Sequence, residues 1–77
     1  MKADRTPAPA PAGRITVALV PRAAADLEAS RERSGLSKTD VVNRALSLHE
    51  FITARIAAGD DLVLHAEDGT ARLVRLL

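Results

Sequence analysis

Between Arg14 and Val20 apolar positions alternate with polar or small ones. Ile15, Val17 and Leu19 fall on one side and Arg14, Thr16 and Ala18 on the other, the two-residue period of a half-buried β-strand. From Pro21 the period changes to that of a helix. Pro21 suits a first helical position, Ala24 and Leu27 are the expected buried residues, and Gly35 is placed to end the helix after about Ser34. Ser37 then opens a second helix, with Asp40 three residues on in a variant of the capping box. Its apolar positions, Val41, Val42, Ala45, Leu46, Leu48, Phe51, Ile52 and Ile56, recur at three- and four-residue spacing until Gly59. The tail reads as a β-hairpin around Asp68-Gly69, pairing Ala66 with Ala71 and Leu64 with Leu73 and gathering Leu62, Leu64 and Leu73 on one face.

A lone strand leaves its backbone groups and its apolar face unsatisfied, and no second strand lies near Arg14–Val20 in sequence. The same strand from a second chain, paired antiparallel about a two-fold axis, is the economical answer. The expected fold is therefore mainly α with a β-ribbon: an obligate homodimer with an intermolecular two-stranded sheet, plus a C-terminal β-hairpin. A ribbon whose outer face repeats Arg14, Thr16 and Ala18 fits the major groove of B-DNA, so the domain plan is a Pro/Ala-rich arm over 1–13, a dimerisation and DNA-binding domain over 14–58, and the hairpin extension over 60–77.

Composition sharpens this picture. With 77 residues the chain is too short to bury a comfortable core alone, and with no Cys it has no disulfide to help. Hydrophobic residues make up 47% of the chain but aromatics only 1%, so the core must come from aliphatic side chains with Phe51 as its one ring. The expected dimer core is Ile15, Val17, Leu19, Leu27, Val42, Ala45, Leu46 and Ile52. No apolar run approaches the roughly 20 residues that span a bilayer, so no membrane partner is expected and the protein is placed in the cytoplasm, associated with the nucleoid.

Net charge is only +1, but it is unevenly spread. Lys2, Arg5, Arg14 and Arg22 face Asp4 alone in the first 22 residues, whereas acidic side chains predominate from residue 41 onward. The alternating Pro-Ala run before Gly13 has no face to bury, so an extended arm is expected, touching DNA through Lys2 and Arg5 in the sharper reading and passive in the plainer one. His49 and His65 have no Cys beside them and no second ligand at metal spacing, so they are read as structural. Asp60 and Asp61 read as a solvated loop. No nucleophile with a base and no Gly-rich phosphate loop is in view; the expectation is no enzyme activity, no metal and no cofactor.

The order strand, Pro-started helix, Gly35-Leu36-Ser37-Lys38-Thr39-Asp40-Val41-Val42 and long amphipathic helix resembles the ribbon-helix-helix family of dimeric DNA-binding proteins, over residues 14 to about 56. The resemblance implies that Arg14, Thr16 and Ala18 touch base edges in the major groove while Ile15, Val17 and Leu19 pack on the helices. It also implies that Ser37, Lys38 and Thr39 hold a DNA phosphate, a role that free N–H groups at a helix N-terminus favour in any case. Ala18 can offer only van der Waals contact to a thymine methyl, which leaves Arg14 and Thr16 as hydrogen-bonding readers. Discrimination by one dimer is then limited, and cooperative higher oligomers on repeated sites, or the arm, would have to add to it.

The expected function is that of a small bacterial transcriptional repressor acting on double-stranded DNA as a homodimer. The alternatives are an antitoxin of a toxin–antitoxin pair, a plasmid-partition protein binding centromere-like repeats, and a protein-interaction dimer without DNA binding. The hairpin lies outside the minimal family fold and is a candidate surface for a protein partner.

Overall fold

The computed structural model describes residues 11–76. Two helices come first, α1 over Pro21–Ser34 and α2 over Lys38–Ala57, and two short strands follow, β1 over Leu62–His65 and β2 over Ala71–Val74. Lys2, Arg5 and most of the Pro/Ala arm lie outside the described residues.

The expected N-terminal ribbon is overturned: the strands follow the helices, and Arg14–Val20 belongs to no strand or helix. A strand exists through the ladder it shares with a neighbour. Within this chain β1 and β2 pair with each other in a two-stranded antiparallel sheet, and among the described residues Arg14–Val20 joins neither of its outer edges. Ile15, Val17 and Leu19, expected in the core, are 73%, 62% and 49% exposed. Period-two alternation alone was therefore not enough to make a strand of this segment.

Both helices form where the sequence places them, because their ends are chemically marked. Pro21 takes the first position of α1, where its missing N–H costs nothing. Gly35 closes it at φ +76°, its N–H donating to the Arg31 carbonyl at 2.8 Å in the left-handed conformation that other residues adopt at a cost. α2 begins after Ser37, whose Oγ accepts from the Asp40 N–H at 3.1 Å. It ends beside an ion pair, with Arg55 Nε donating to Asp60 Oδ2 at 2.6 Å. Asp60 is therefore a partner of the helix's last turn as well as part of the loop.

α1 packs against α2, and the half-buried positions mark the seam: Ala23 and Leu27 on α1, Leu36 in the connection, Val41 and Ile52 on α2. Ala23 takes the place expected for Ala24, which is exposed. No hydrophobic residue among those described is fully buried. At 100° per residue the apolar positions of α2 span roughly 220° of its circumference, far more than one short neighbour covers. Leu48 and Phe51 stay 58% and 66% exposed on one flank and Leu46 57% on the other. Of the expected core residues, Leu27 and Ile52 are half-buried, while Val42, Ala45 and Leu46 are exposed. These apolar side chains lack covering surface, which a single chain of this length does not provide.

The hairpin forms, but one residue out of the expected register. Leu62 faces Val74, Val63 faces Leu73, Leu64 faces Arg72 and His65 faces Ala71. A three-residue loop, Glu67-Asp68-Gly69, replaces the two-residue turn: the Gly69 N–H donates to the Ala66 carbonyl at 3.0 Å and the Ala66 N–H to the Thr70 carbonyl at 2.8 Å. This is a turn followed by a left-handed residue, Gly69 at φ +92°, a common three-residue hairpin connection. The Thr70 N–H donates to Asp68 Oδ1 at 2.8 Å, so the acidic residue before the glycine satisfies the donor that the extra residue displaces. Because side chains alternate, Leu62 and Leu64 now share a face with Val74 and Arg72, while Leu73 joins Val63 on the other.

Hydrogen bonds from the Thr70 side chain and then its backbone N–H hold the Asp68 carboxyl below its ordinary pKa. Its contribution to the loop is present above the unfolded value near 3.9 and is lost as pH falls through the depressed folded value. Acidification below about pH 4 should loosen the turn, shifting the Thr70 amide resonance in an NMR titration. Asp68→Asn, which keeps an accepting oxygen but has no proton to take up, should remove that local titration. An unchanged Thr70 response in the variant would refute this role for Asp68.

Candidate nucleic-acid interface

Two groups of residues with the chemistry to meet a polyanion are set out by the structure. The first is the extended segment Arg14–Val20, held by the start of α1. The Ala24 N–H donates to the Val20 carbonyl at 3.0 Å, so the segment's C-terminal end is fixed as α1 begins. Arg14, Thr16 and Ala18 are all exposed. Among the described residues Arg14 pairs with no carboxylate, in contrast to Arg22, which sits 3.8 Å from Asp26 across one turn of α1.

The second group is the N-terminus of α2. Ser37 is extended at φ −73°, ψ 165°, and its side chain takes the Asp40 N–H, while the Val41 N–H donates to the Ser37 carbonyl at 3.0 Å. The N–H groups of Lys38 and Thr39 have no acceptor among the described residues and point out of the helix end. Lys38 adds a cation that pairs with no carboxylate among the described residues. Asp40 brings a negative charge to the same turn, stabilising the helix through its dipole but opposing an incoming anion. Attraction here rests on Lys38 and the two free N–H groups. Thr39, an exposed residue, also uses its carbonyl to accept from Asn43 Nδ2 at 2.8 Å.

The two groups are not joined by any hydrogen bond or ion pair among the described residues, so the chain presents them as separate contacts. Lys2 and Arg5 lie outside the described residues. The sequence reading missed the Arg55–Asp60 pair, because a five-residue spacing is not a helical-face signal, although a basic residue in the last turn before an acidic loop was there to be read. It also passed over Asn43 and Ser47, which with Arg44, Leu48 and Phe51 line an open depression on α2. No cluster of three potential metal ligands exists among the described residues, and no helix there is long and apolar enough to cross a membrane. A comparison with protein-family models, curated proteins and solved structures found no match to this chain.

The Ser37 side chain takes up one of the N–H groups left over at this end of α2. Ser37→Ala should destabilise the folded protein by about 1 kcal/mol, whereas Ser37→Asp should restore most of the loss, since its carboxylate also accepts from the Asp40 N–H. Urea unfolding at one fixed protein concentration measures both. Equal losses in the two variants would mean that the cap bond is not what sets the helix start.

Proposed function

We propose that this protein binds double-stranded DNA as a pair of copies and acts as a small transcriptional repressor. The extended Arg14–Val20 segment lies in the major groove, with Arg14 donating to guanine, Thr16 adjusting to its neighbour and Ala18 against a thymine methyl. The N-terminus of α2, through Lys38 and the Lys38 and Thr39 N–H groups, holds a flanking phosphate. The observation that carries the reading is that two sets of donors stay unspent among the described residues: Arg14, exposed on an extended segment with no carboxylate partner there, and a capped helix end where Lys38 has none either. The uneven charge along the sequence supports it, as does the order of short motifs that resembles a DNA-binding family. Occupancy of a promoter would exclude polymerase.

Self-association follows from a different observation. The exposed flanks of α2 and the exposed Ile15, Val17 and Leu19 are apolar surface that two copies can cover for each other. A net charge of only +1 favours a second reading, an interaction dimer without DNA binding. The two are separated by the same experiment.

Fluorescence anisotropy against DNA from upstream of the protein's own gene and against a scrambled duplex, stepped through salt, is the test. Preferential binding that weakens as salt rises is expected. Arg14→Ala should lose about 1–3 kcal/mol at particular base pairs, and Lys38→Ala should weaken binding evenly and lower the salt slope by about 1. Variants that bind like the parent would refute the assigned contacts. Absence of binding even at low salt would leave the interaction dimer.

A further inference from the structure

The hairpin carries two features that the DNA reading does not use. Both of its faces are apolar, with Val63 and Leu73 on one and Leu62, Leu64 and Val74 on the other, and two strands of four residues are marginal by themselves. Its two outer edges are also chemically different. The Ala66 N–H bond to the Thr70 carbonyl fixes the alternation of the ladder, so Leu64 with Arg72 and Leu62 with Val74 are the hydrogen-bonded pairs. The N–H and C=O groups of Ala71 and Leu73 therefore point away from β1, as do those of Val63 and His65 on the opposite edge.

We propose that the outer edge of β2 is a pairing site for a second copy of this chain, the two β2 strands running antiparallel about a two-fold axis at Leu73. The register is self-complementary. Leu73 meets Leu73 of the copy as a hydrogen-bonded pair, and Arg75, one residue beyond β2, meets Ala71 of the copy. Each outward-pointing donor and acceptor then finds its counterpart, and the hairpins become one four-stranded sheet with Val63 and Leu73 of both copies forming a continuous apolar stripe. Arg72 falls opposite Val74 of the copy, so the two Arg72 side chains are diagonal rather than opposed. A two-fold pairing closes, which spends the exposed edge without continuing into a filament.

Charge selects this edge over the other. In the β2 pairing Arg75 lands beside the acidic tip of the copy, next to Thr70 and the Asp68 carboxylate bound to it. The equivalent antiparallel pairing of β1 edges, about Val63, would set Asp61 opposite His65 and Asp60 opposite Ala66 of the copy, next to Glu67 at its acidic tip. Asp60 is already paired with Arg55, but Asp61 has no cation among the described residues to offset it. Base and tip thus bring like charges near each other along β1 and opposite charges near each other along β2. The site lies on a different element from the proposed DNA contacts and does not depend on them.

The full chain lacks cysteine, so single introduced cysteines report the pairing directly. Hydrogen-bonded antiparallel partners have Cα atoms about 5.5 Å apart, within disulfide range. Leu73→Cys should form a disulfide-linked pair under mild oxidation at micromolar protein, at least tenfold faster than Val63→Cys, which sits on the same face with comparable exposure but on the β1 edge. Arg75→Glu in the Leu73→Cys background should slow the reaction, and adding Asp68→Arg should restore it. Equal rates for the two cysteines, a faster Val63→Cys, or no linked pair from either would overturn the proposal, as would indifference to the charge reversals. DNA anisotropy on reduced Leu73→Cys is read separately, so loss of edge pairing and loss of DNA binding are distinguishable.

Discussion

The structure depends on a mismatch between α2 and what is available to cover it. A 20-residue helix presents apolar side chains around more than half its circumference, and α1, at 14 residues, shields only the strip containing Val41 and Ile52. Fixing a backbone costs roughly 1–2 kcal/mol per residue, a cost that globular proteins offset by burying apolar surface. Here no hydrophobic residue among those described is buried. Capping at Ser37, the left-handed Gly35 and the Arg55–Asp60 pair mark where the helices start and stop, but such local terms are small and cannot replace a core. In the single chain the flanks of α2 therefore stay exposed, as apolar surface left open to a further contact.

The same logic connects the two ends of the chain. Arg14–Val20 has the alternation of a strand and no ladder partner, and the hairpin has a ladder with two unused edges. In both places backbone polar groups and apolar side chains are left to a further contact. At the N-terminal end the accompanying chemistry is cationic and suits a phosphate backbone. At the C-terminal end opposite charges at base and tip suit a copy of the same strand. Function on this account follows from which unsatisfied groups sit next to which charges.

How much of this was legible in the sequence follows from the range of each interaction. Helix limits depend on residues within four positions of one another, and Pro21, Gly35 and Ser37 mark them. The hairpin is local too, but its register turns on a single residue: Asp68-Gly69 reads as a two-residue turn, whereas Asp68 bonding the Thr70 N–H favours a three-residue loop and moves Leu73 to the opposite face from Leu64. The strand expected over residues 14–20 was misread, because alternation alone does not make a strand: a ladder partner is needed, and the structure has no strand there. For the candidate site, the cap at Ser37 and the free N–H groups of Lys38 and Thr39 were readable from residue type and position, while the absence of a carboxylate partner for Arg14 and Lys38 among the described residues needed coordinates.

The most direct test is whether folding depends on protein concentration. Far-UV circular dichroism of urea unfolding, repeated from nanomolar to 100-micromolar protein, separates a self-sufficient chain from an assembled one. If two copies must meet to cover α2, the apparent stability rises by about 1.4 kcal/mol for each tenfold increase in concentration, and helical signal is lost on dilution. A helical monomer whose unfolding midpoint stays constant across that range would contradict the account at its root.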